Sequence, residues 1–230
     1  DYAGGTDVDN ASLSKTSNTN WYYDLTVPSG TEYDGAFTVM IFGDDNASNT
    51  VTSTQNGDKA IDNTAPVVTI EYNNSATYFK QGDKLKIYAN FTETGSGMNE
   101  STIYVNMWVD VDVVVSGGSL NKTSENRYTY NYTIPSGDGT WLVAVWGTDN
   151  VSLSGHLDES SKKVDNTGPT ATITDISDYV TSLTEISGTS SDGSGIGIQK
   201  TQIKIYNTTD NTNWTGTTWT DADNWVDTTG

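Results

Sequence analysis

Short runs of β-branched and aromatic residues alternate with polar turn residues along the whole chain. Clear examples are residues 38–42, 142–146 and 203–206, each bounded by Gly, Asn or Asp. Runs of this length and composition are typical of β-strands. No segment of helical length shows an apolar period of 3.6 residues, so the pattern predicts an all-β protein.

A junction between strands occurs twice. Residues 61–70 read Ile-Asp-Asn-Thr-Ala-Pro-Val-Val-Thr-Ile, and residues 164–173 read Val-Asp-Asn-Thr-Gly-Pro-Thr-Ala-Thr-Ile. Each copy has a polar turn, then a proline that fixes φ and lacks an N–H donor, then a β-branched run that begins a strand. Asp62 and Asp165 stand 103 residues apart, which is the length of one small β-sandwich domain.

The repeat extends upstream of this junction. The matched stretches are residues 23–30 with 130–137, residues 34–43 with 138–147, and Asp45-Asn46 with Asp149-Asn150. Matches in register over this length indicate internal periods rather than chance. The predicted division is the C-terminal part of one domain at residues 1–63, a complete domain at 64–166, and the N-terminal part of a further domain at 167–230.

These motifs resemble the tandem immunoglobulin-like repeats of prokaryotic cell-surface proteins. The resemblance rests on the strand and turn pattern, the Asp-Asn-Thr-x-Pro junctions, the segment at residues 186–196 and the tryptophan run from Trp214 to Trp225. It implies tandem immunoglobulin-like β-sandwich domains in a linear array, an extracellular or cell-surface location, and a role in a stalk, adhesin shaft, S-layer or spacer. The junctions are also loosely similar to those of cadherins, although the full cadherin acidic set is missing.

Composition narrows the possible partners and chemistry. The net charge of −19 disfavours nucleic acid and anionic membranes as partners, because their phosphates would be repelled. The chain has no cysteine, one histidine (His156) and no catalytic motif, so we expect neither an enzyme nor an organic cofactor. No apolar run is long enough to insert in a membrane, and the N-terminus lacks a leader, which indicates a removed signal peptide or an internal piece.

The acidic residues favour calcium as the bound ion. Asp outnumbers Glu by 23 to 7, and short carboxylates recur at the junctions and in the loop before them. We expect the two loops to converge on one calcium site at each junction. The candidate ligands are Asp45, Asp62, Asn63, Asp149, Asp165 and Asn166. The alternative is that Asp62 and Asp165 only form Asx-turns.

Ten sequons predict N-glycosylation. They begin at Asn10, Asn46, Asn73, Asn90, Asn99, Asn121, Asn131, Asn150, Asn207 and Asn213. Glycans on Asn46 and Asn150 would compete with any role of those amides in binding calcium.

The sequence leaves three non-enzymatic functions open. The first is a structural repeat segment whose partners are neighbouring domains of the same or an identical chain. The second is an adhesive or carbohydrate-binding module, with Trp214, Trp219 and Trp225 stacking on sugars unless they pack across strands. The third is a head-to-tail filament subunit, because the two partial domains together correspond to about one complete domain.

Overall fold

The computed structural model of the chain describes residues 11–193 and 195–228, without the side chains of residues 56–58. It contains twenty β-strands and one 3₁₀ turn, Thr31–Tyr33. This confirms the prediction of an all-β protein. The part of the chain that is described has no helix that is long and apolar enough to span a membrane.

The strands fall into three stretches of sequence. The first holds β1 Ser14–Lys15, β2 Trp21–Tyr22, β3 Gly35–Asp44 and β4 Thr50–Ile61. The second holds β5 Val67–Tyr72, β6 Tyr78–Phe79, β7 Lys84–Thr92, β8 Met98–Val109, β9 Asp112–Ser119, β10 Asn121–Ser124, β11 Arg127–Thr133, β12 Gly139–Asp149 and β13 Ser154–Val164. The third holds β14 Thr170–Ile173, β15 Gly188–Ser191, β16 Gln202–Ile203, β17 Tyr206–Asn207, β18 Thr212–Trp214, β19 Trp219–Thr220 and β20 Val226–Asp227.

The nine central strands form a two-sheet β-sandwich. One sheet has the order β10-β11-β7-β5, and the other has the order β6-β13-β12-β8-β9. Neighbouring strands are antiparallel except β6 and β13, which are parallel. Alternate residues of β7 point inward, and Leu85, Ile87 and Ala89 are buried there because a strand turns every second side chain to the same face.

An aromatic group fills the centre of this core. Trp141 on β12 contacts Phe79 and Tyr132, with ring centroids 6.3 Å and 5.3 Å away. Both contacts have the edge-to-face geometry that aromatic rings favour. The apolar runs of both sheets therefore close on one core, as the alternation along the strands predicts.

The strands before and after the sandwich form small separate sheets. In the described residues, β3 pairs only with β4, and β14 pairs only with β15. The expected strand at residues 203–206 is divided, because Ile203 pairs with Val226 while Tyr206 pairs with Asn213. That apolar run serves two different sheets, which its pattern alone does not reveal.

Candidate metal centre

The first Asp-Asn-Thr segment is held to the loop that precedes β3. Asp34 accepts hydrogen bonds from the backbone N–H of Asn63 at 2.6 Å and from the hydroxyl of Thr64 at 2.5 Å. The Asn63 side chain donates to the carbonyl of Gly30 at 3.0 Å. We call this arrangement of an aspartate, an asparagine and a threonine the clasp.

The second Asp-Asn-Thr segment has the same clasp. Asp138 accepts hydrogen bonds from the Asn166 N–H and the Thr167 hydroxyl, and the Asn166 side chain donates to the carbonyl of Gly137. The hydroxyl of Thr167, followed by the N–H of Asn166, lowers the pKa of Asp138 below its ordinary value. The same local chemistry therefore follows β4 and β13.

Each clasp includes the asparagine that the sequence suggests as a calcium ligand. Asn63 and Asn166 direct their side-chain N–H groups to carbonyls of the preceding loop. The side-chain oxygen of Asn166 also accepts a hydrogen bond from the Gln81 N–H. The structure thus places both asparagines in hydrogen bonds that secure the segment after each hairpin.

Asp62 reaches forward from the same segment to a loop of the sandwich. Its Oδ2 accepts a hydrogen bond from the Ser96 N–H at 2.6 Å, and its Oδ1 accepts one from the Thr64 N–H at 3.2 Å. A Cβ at Gly95 would lie 2.3 Å from the Asp62 carboxyl carbon, so the close approach depends on glycine. Burial alone would raise the pKa of Asp62, but hydrogen bonds from Ser96 and Thr64 outweigh burial and lower it.

Three carboxylates meet at this point. Asp62, Glu93 and Asp149 each present an oxygen, and these three oxygens lie within 4.8 Å of one another. Asp62 comes from the segment after β4, Glu93 from the loop after β7 and Asp149 from the end of β12. None of the three is in an ion pair within the described residues.

Two oxygens of this acidic group lack partners. The Oδ1 of Asp149 accepts hydrogen bonds from Val151 and Leu153 at 2.9 Å and 2.8 Å, but its Oδ2 is buried and unpartnered. Asp149 is 0% exposed. Glu93 accepts from the Gly95 N–H through Oε1, whereas its Oε2 is also buried and unpartnered.

Asn150 joins the two loops that carry these acids. Its N–H donates to the carbonyl of Gly97 at 2.9 Å, and its side chain donates to the carbonyl of Ser96 at 2.8 Å. The loops after β7 and β12 therefore hold each other in place. A glycan on the Asn150 side chain would be attached to the nitrogen that donates to the Ser96 carbonyl.

The predicted convergence of each junction with its preceding loop is wrong. In the β3–β4 hairpin, Gly35 pairs with Ile61 while Asp44 pairs with Thr50, so Asp45 and Asp62 lie at opposite ends. In the β12–β13 hairpin, Asp149 and Asp165 are separated in the same way. Strands of ten residues hold such ends roughly 30 Å apart. The structure instead brings Asp149 to Asp62 of the preceding junction.

Asp45 and Asp165 therefore lie outside the group formed by Asp62, Glu93 and Asp149. Asp45 is exposed, and its two oxygens accept hydrogen bonds from the Asn49 side chain and from backbone N–H groups of Ala47 and Asn49. The Asn49 side chain is the main cause of its lowered pKa. Asp165 accepts a hydrogen bond from the Ile196 N–H at 3.1 Å, as Asp62 does from Ser96. No group of three acids is found there among the described residues.

Sequence reasoning missed Glu93 and the clasp acids Asp34 and Asp138. Glu93 is a single glutamate in a polar turn, and nothing in its neighbourhood marks it as a ligand. A signal did exist for the other two, because Asp34-Gly35 and Asp138-Gly139 occupy matched positions of the repeat.

The sequons differ in accessibility. The side chains of Asn46, Asn73, Asn121, Asn131 and Asn150 are exposed, whereas those of Asn90, Asn99 and Asn207 are half-buried. Asn213 is 5% exposed and donates to the carbonyl of Ala222, so a glycan there would require local opening. Asn10 lies outside the described residues.

The tryptophans of the third stretch pair across strands. Trp214 and Trp219 face each other on β18 and β19, with ring centroids 5.5 Å apart and planes tilted by 57°. Trp225 is exposed, and the Lys204 ammonium lies 6.0 Å from its ring centroid. The first two rings therefore do not form one flat platform.

Comparisons with known proteins do not assign this chain to a family. A scan against models of protein families finds no match, and a search of curated proteins finds no similar sequence.

Proposed function

We propose that this chain is a non-enzymatic structural segment of an extracellular or cell-surface protein, built from immunoglobulin-like β-sandwich units in a linear array. The observation that carries the proposal is the clasp, which occurs once after β4 and once after β13 with the same donors and acceptors. A hydrogen-bonded arrangement of this kind, repeated with the period of the sequence, supports one unit copied along a chain.

The mechanism of such a segment is mechanical. At the first junction, Asn63 is tied backward to the hairpin before it, and Asp62 is tied forward to the sandwich after it. The second junction repeats both ties through Asn166 and Asp165. Pro66 and Pro169 fix φ just beyond each junction. These restraints limit bending, so the array would act as a semi-rigid spacer whose units contact only their neighbours.

The surface suits an exposed setting. The charge of −19 keeps neighbouring copies apart in solution, and sequons such as Asn46 and Asn131 lie where a glycosyltransferase could reach them. The proposal therefore includes an extracellular location and glycans on the accessible sequons.

Distance measurements between spin labels test the stiffness of the junction. The chain has no cysteine, so Ser53→Cys and Ser124→Cys would place one label on β4 and one on β10 without background. We expect a narrow distance distribution in the otherwise unchanged chain. Asp34→Ala should broaden it, because the N–H of Asn63 and the hydroxyl of Thr64 lose their acceptor.

Asp45→Ala is the matched control for this experiment. Asp45 lies in the same hairpin but contacts only its own turn, so the distribution should stay narrow. A broad distribution in the unchanged chain would refute the spacer role. An equal response to both substitutions would assign the stiffness to the hairpin rather than to the clasp.

Head-to-tail assembly is a second candidate, favoured by one surface. The β3–β4 hairpin exposes Met40, Phe42 and Val51, whereas Ala144, the match of Met40 on β12, is buried. An exposed apolar patch on an otherwise polar chain is typical of a contact with another protein surface. Light scattering across a wide range of concentrations would detect this association, and a monomer at the highest concentration would exclude it.

A further inference from the structure

We infer that Asp62, Glu93 and Asp149 bind one calcium ion between the first junction and the sandwich. The site goes beyond the spacer role, because the clasp involves none of these three carboxylates. It also does not depend on that role, since a single sandwich with its preceding junction would carry all three ligands.

The unpartnered oxygens are the first argument. The Oδ2 of Asp149 is buried and has no hydrogen-bond partner, and it belongs to a side chain that is 0% exposed. An ionised carboxylate is costly to bury unless hydrogen bonds or an opposite charge compensate it. Glu93 adds a second unpartnered oxygen to the same group. A cation is the simplest group that would satisfy both oxygens and relieve the repulsion among three acids.

The ligand chemistry selects the kind of ion. All three side chains offer oxygen, with neither histidine nor cysteine in the group, which favours a hard cation. The three oxygens lie within 4.8 Å of one another. Calcium holds its oxygen ligands at about 2.3–2.6 Å in flexible geometry, so oxygens gathered this closely from three segments can share one calcium ion. Magnesium demands a near-ideal octahedron and keeps several of its waters, so a set of three protein carboxylates favours calcium.

The Asp45 loop provides an internal contrast. Asp45 and Asp149 begin turns with the same backbone hydrogen bonds, but the Asn49 side chain satisfies the Oδ2 of Asp45 at 2.9 Å. Leu153 occupies the equivalent position in the second loop and cannot donate from its side chain. The turn itself therefore does not require a free carboxylate oxygen, and the free oxygen occurs where Asp62 and Glu93 approach.

Calcium bound here would couple three segments. It would join the segment after β4 to the loops after β7 and β12, which are already joined by Asn150. A ligand that binds only the folded form raises the free energy of unfolding by mass action. Calcium should therefore stabilise the sandwich and its contact with the first junction.

Titration calorimetry of the full chain with calcium chloride tests the site. We expect one ion per chain with a Kd of about 10⁻³ M or tighter, and weaker binding of magnesium chloride. Glu93→Gln and Asp149→Asn should each weaken calcium binding at least about tenfold, because each removes one charged ligand. Asp45→Asn makes the same change in the equivalent loop and should leave binding unchanged.

Two results would overturn the inference. One is the absence of calcium binding at up to about 10 mM, well above the range of weak extracellular sites. The other is unchanged affinity in both Glu93→Gln and Asp149→Asn. Circular dichroism would verify that each variant folds, and Glu93→Gln keeps the test decisive if Asp149→Asn does not. The label distances are measured without added calcium, so they test the spacer proposal whether or not the ion binds, and the two proposals fail separately.

Discussion

The β3–β4 and β12–β13 hairpins have the same local structure in different surroundings. Both have a register shift at the equivalent place, between Phe37 and Val39 and between Trp141 and Val143. Both turn through a serine with positive φ, 63° at Ser48 and 72° at Ser152. Both begin that turn with an aspartate that accepts two backbone hydrogen bonds. The repeated sequence therefore specifies the hairpin independently of what covers it.

Burial is what separates the two hairpins. Val143 is 0% exposed, and Val39, its counterpart in the repeat, is 44% exposed. The aspartates differ in the same way, because Asp149 is buried beside two other acids while Asp45 faces solvent. Neighbouring strands cover β12–β13, whereas β3 and β4 pair only with each other among the described residues. The core and the acidic site therefore depend on the strands that surround the hairpin, not on the hairpin itself.

The valine pair should give the largest effect. Val143→Ala removes methyl groups from a closed core and should lower the free energy of unfolding of the sandwich by about 2–3 kcal/mol. Val39→Ala should change it by less than about 0.5 kcal/mol, because Val39 is not in that core. Native-state hydrogen exchange of the amides in β7 and β12 would report both values. Equal effects would show that Val39 packs into the sandwich core in solution.

Much of the fold could be predicted from local pattern. The alternation in residues 142–146 and the proline after Thr64 determine where strands and junctions lie, and these are short-range properties of the chain. The division of residues 203–206 between two sheets could not be predicted, because strand pairing depends on distant residues such as Val226 and Asn213. The proposed domain boundaries remain a prediction.

The candidate site was only partly predictable for the same reason. Asp62 and Asp149 stand out because they recur with the repeat, but the repeat suggests pairing each with the wrong neighbour. The length of a hairpin moves its two ends apart, and only the closed sandwich brings the end of β12 to the junction after β4. Glu93 has no repeated partner that would mark it in the sequence.

Leu153, at the end of the β12–β13 turn, should give the next-largest effect. Leu153→Asn places an amide where Asn49 stands in the first hairpin, so it offers the Oδ2 of Asp149 a hydrogen bond. If that oxygen binds calcium, the amide will compete with the ion and raise the Kd about tenfold. This corresponds to about 1.4 kcal/mol of binding free energy and about 3 °C of the calcium-induced rise in Tm. Thermal unfolding with calcium and with a chelator would measure it.

The reverse change in the first hairpin is the control. Asn49→Leu frees the Oδ2 of Asp45, but that carboxylate is exposed and lies outside the group of three acids found among the described residues. The response of Tm to calcium should therefore equal that of the unchanged chain. A calcium response in Leu153→Asn as large as in the unchanged chain would mean that Asp149 does not bind the ion.

The smallest expected difference is in the response to acid, and it arises at one equivalent pair of positions. Glu159 lies opposite Val143 on β13 and accepts a hydrogen bond from the Tyr72 hydroxyl, whereas the uncharged Gln55 lies opposite Val39 on β4. Burial alone would raise the pKa of Glu159, but hydrogen bonds from Ser161 and Tyr72 outweigh burial and lower it.

A lowered carboxylate pKa stabilises the folded state above the unfolded value of about 4.3 and loses that contribution as the pH falls through the lower folded value. Because Glu159 is only half-buried, solvent still screens its interactions, and the loss on acidification should stay below about 1 kcal/mol. Glu159→Gln should flatten the dependence of sandwich stability on pH between about 5 and 2, measured by urea denaturation, since the substituted side chain no longer titrates.

Gln55→Glu supplies the converse test. It adds a carboxylate at the matched position of a hairpin that no second sheet covers in the described residues, so it should leave the pH dependence of the sandwich unchanged. An acid response that survives in Glu159→Gln would have to arise from other carboxylates of the sandwich, and this would remove Glu159 as a distinction between the two hairpins.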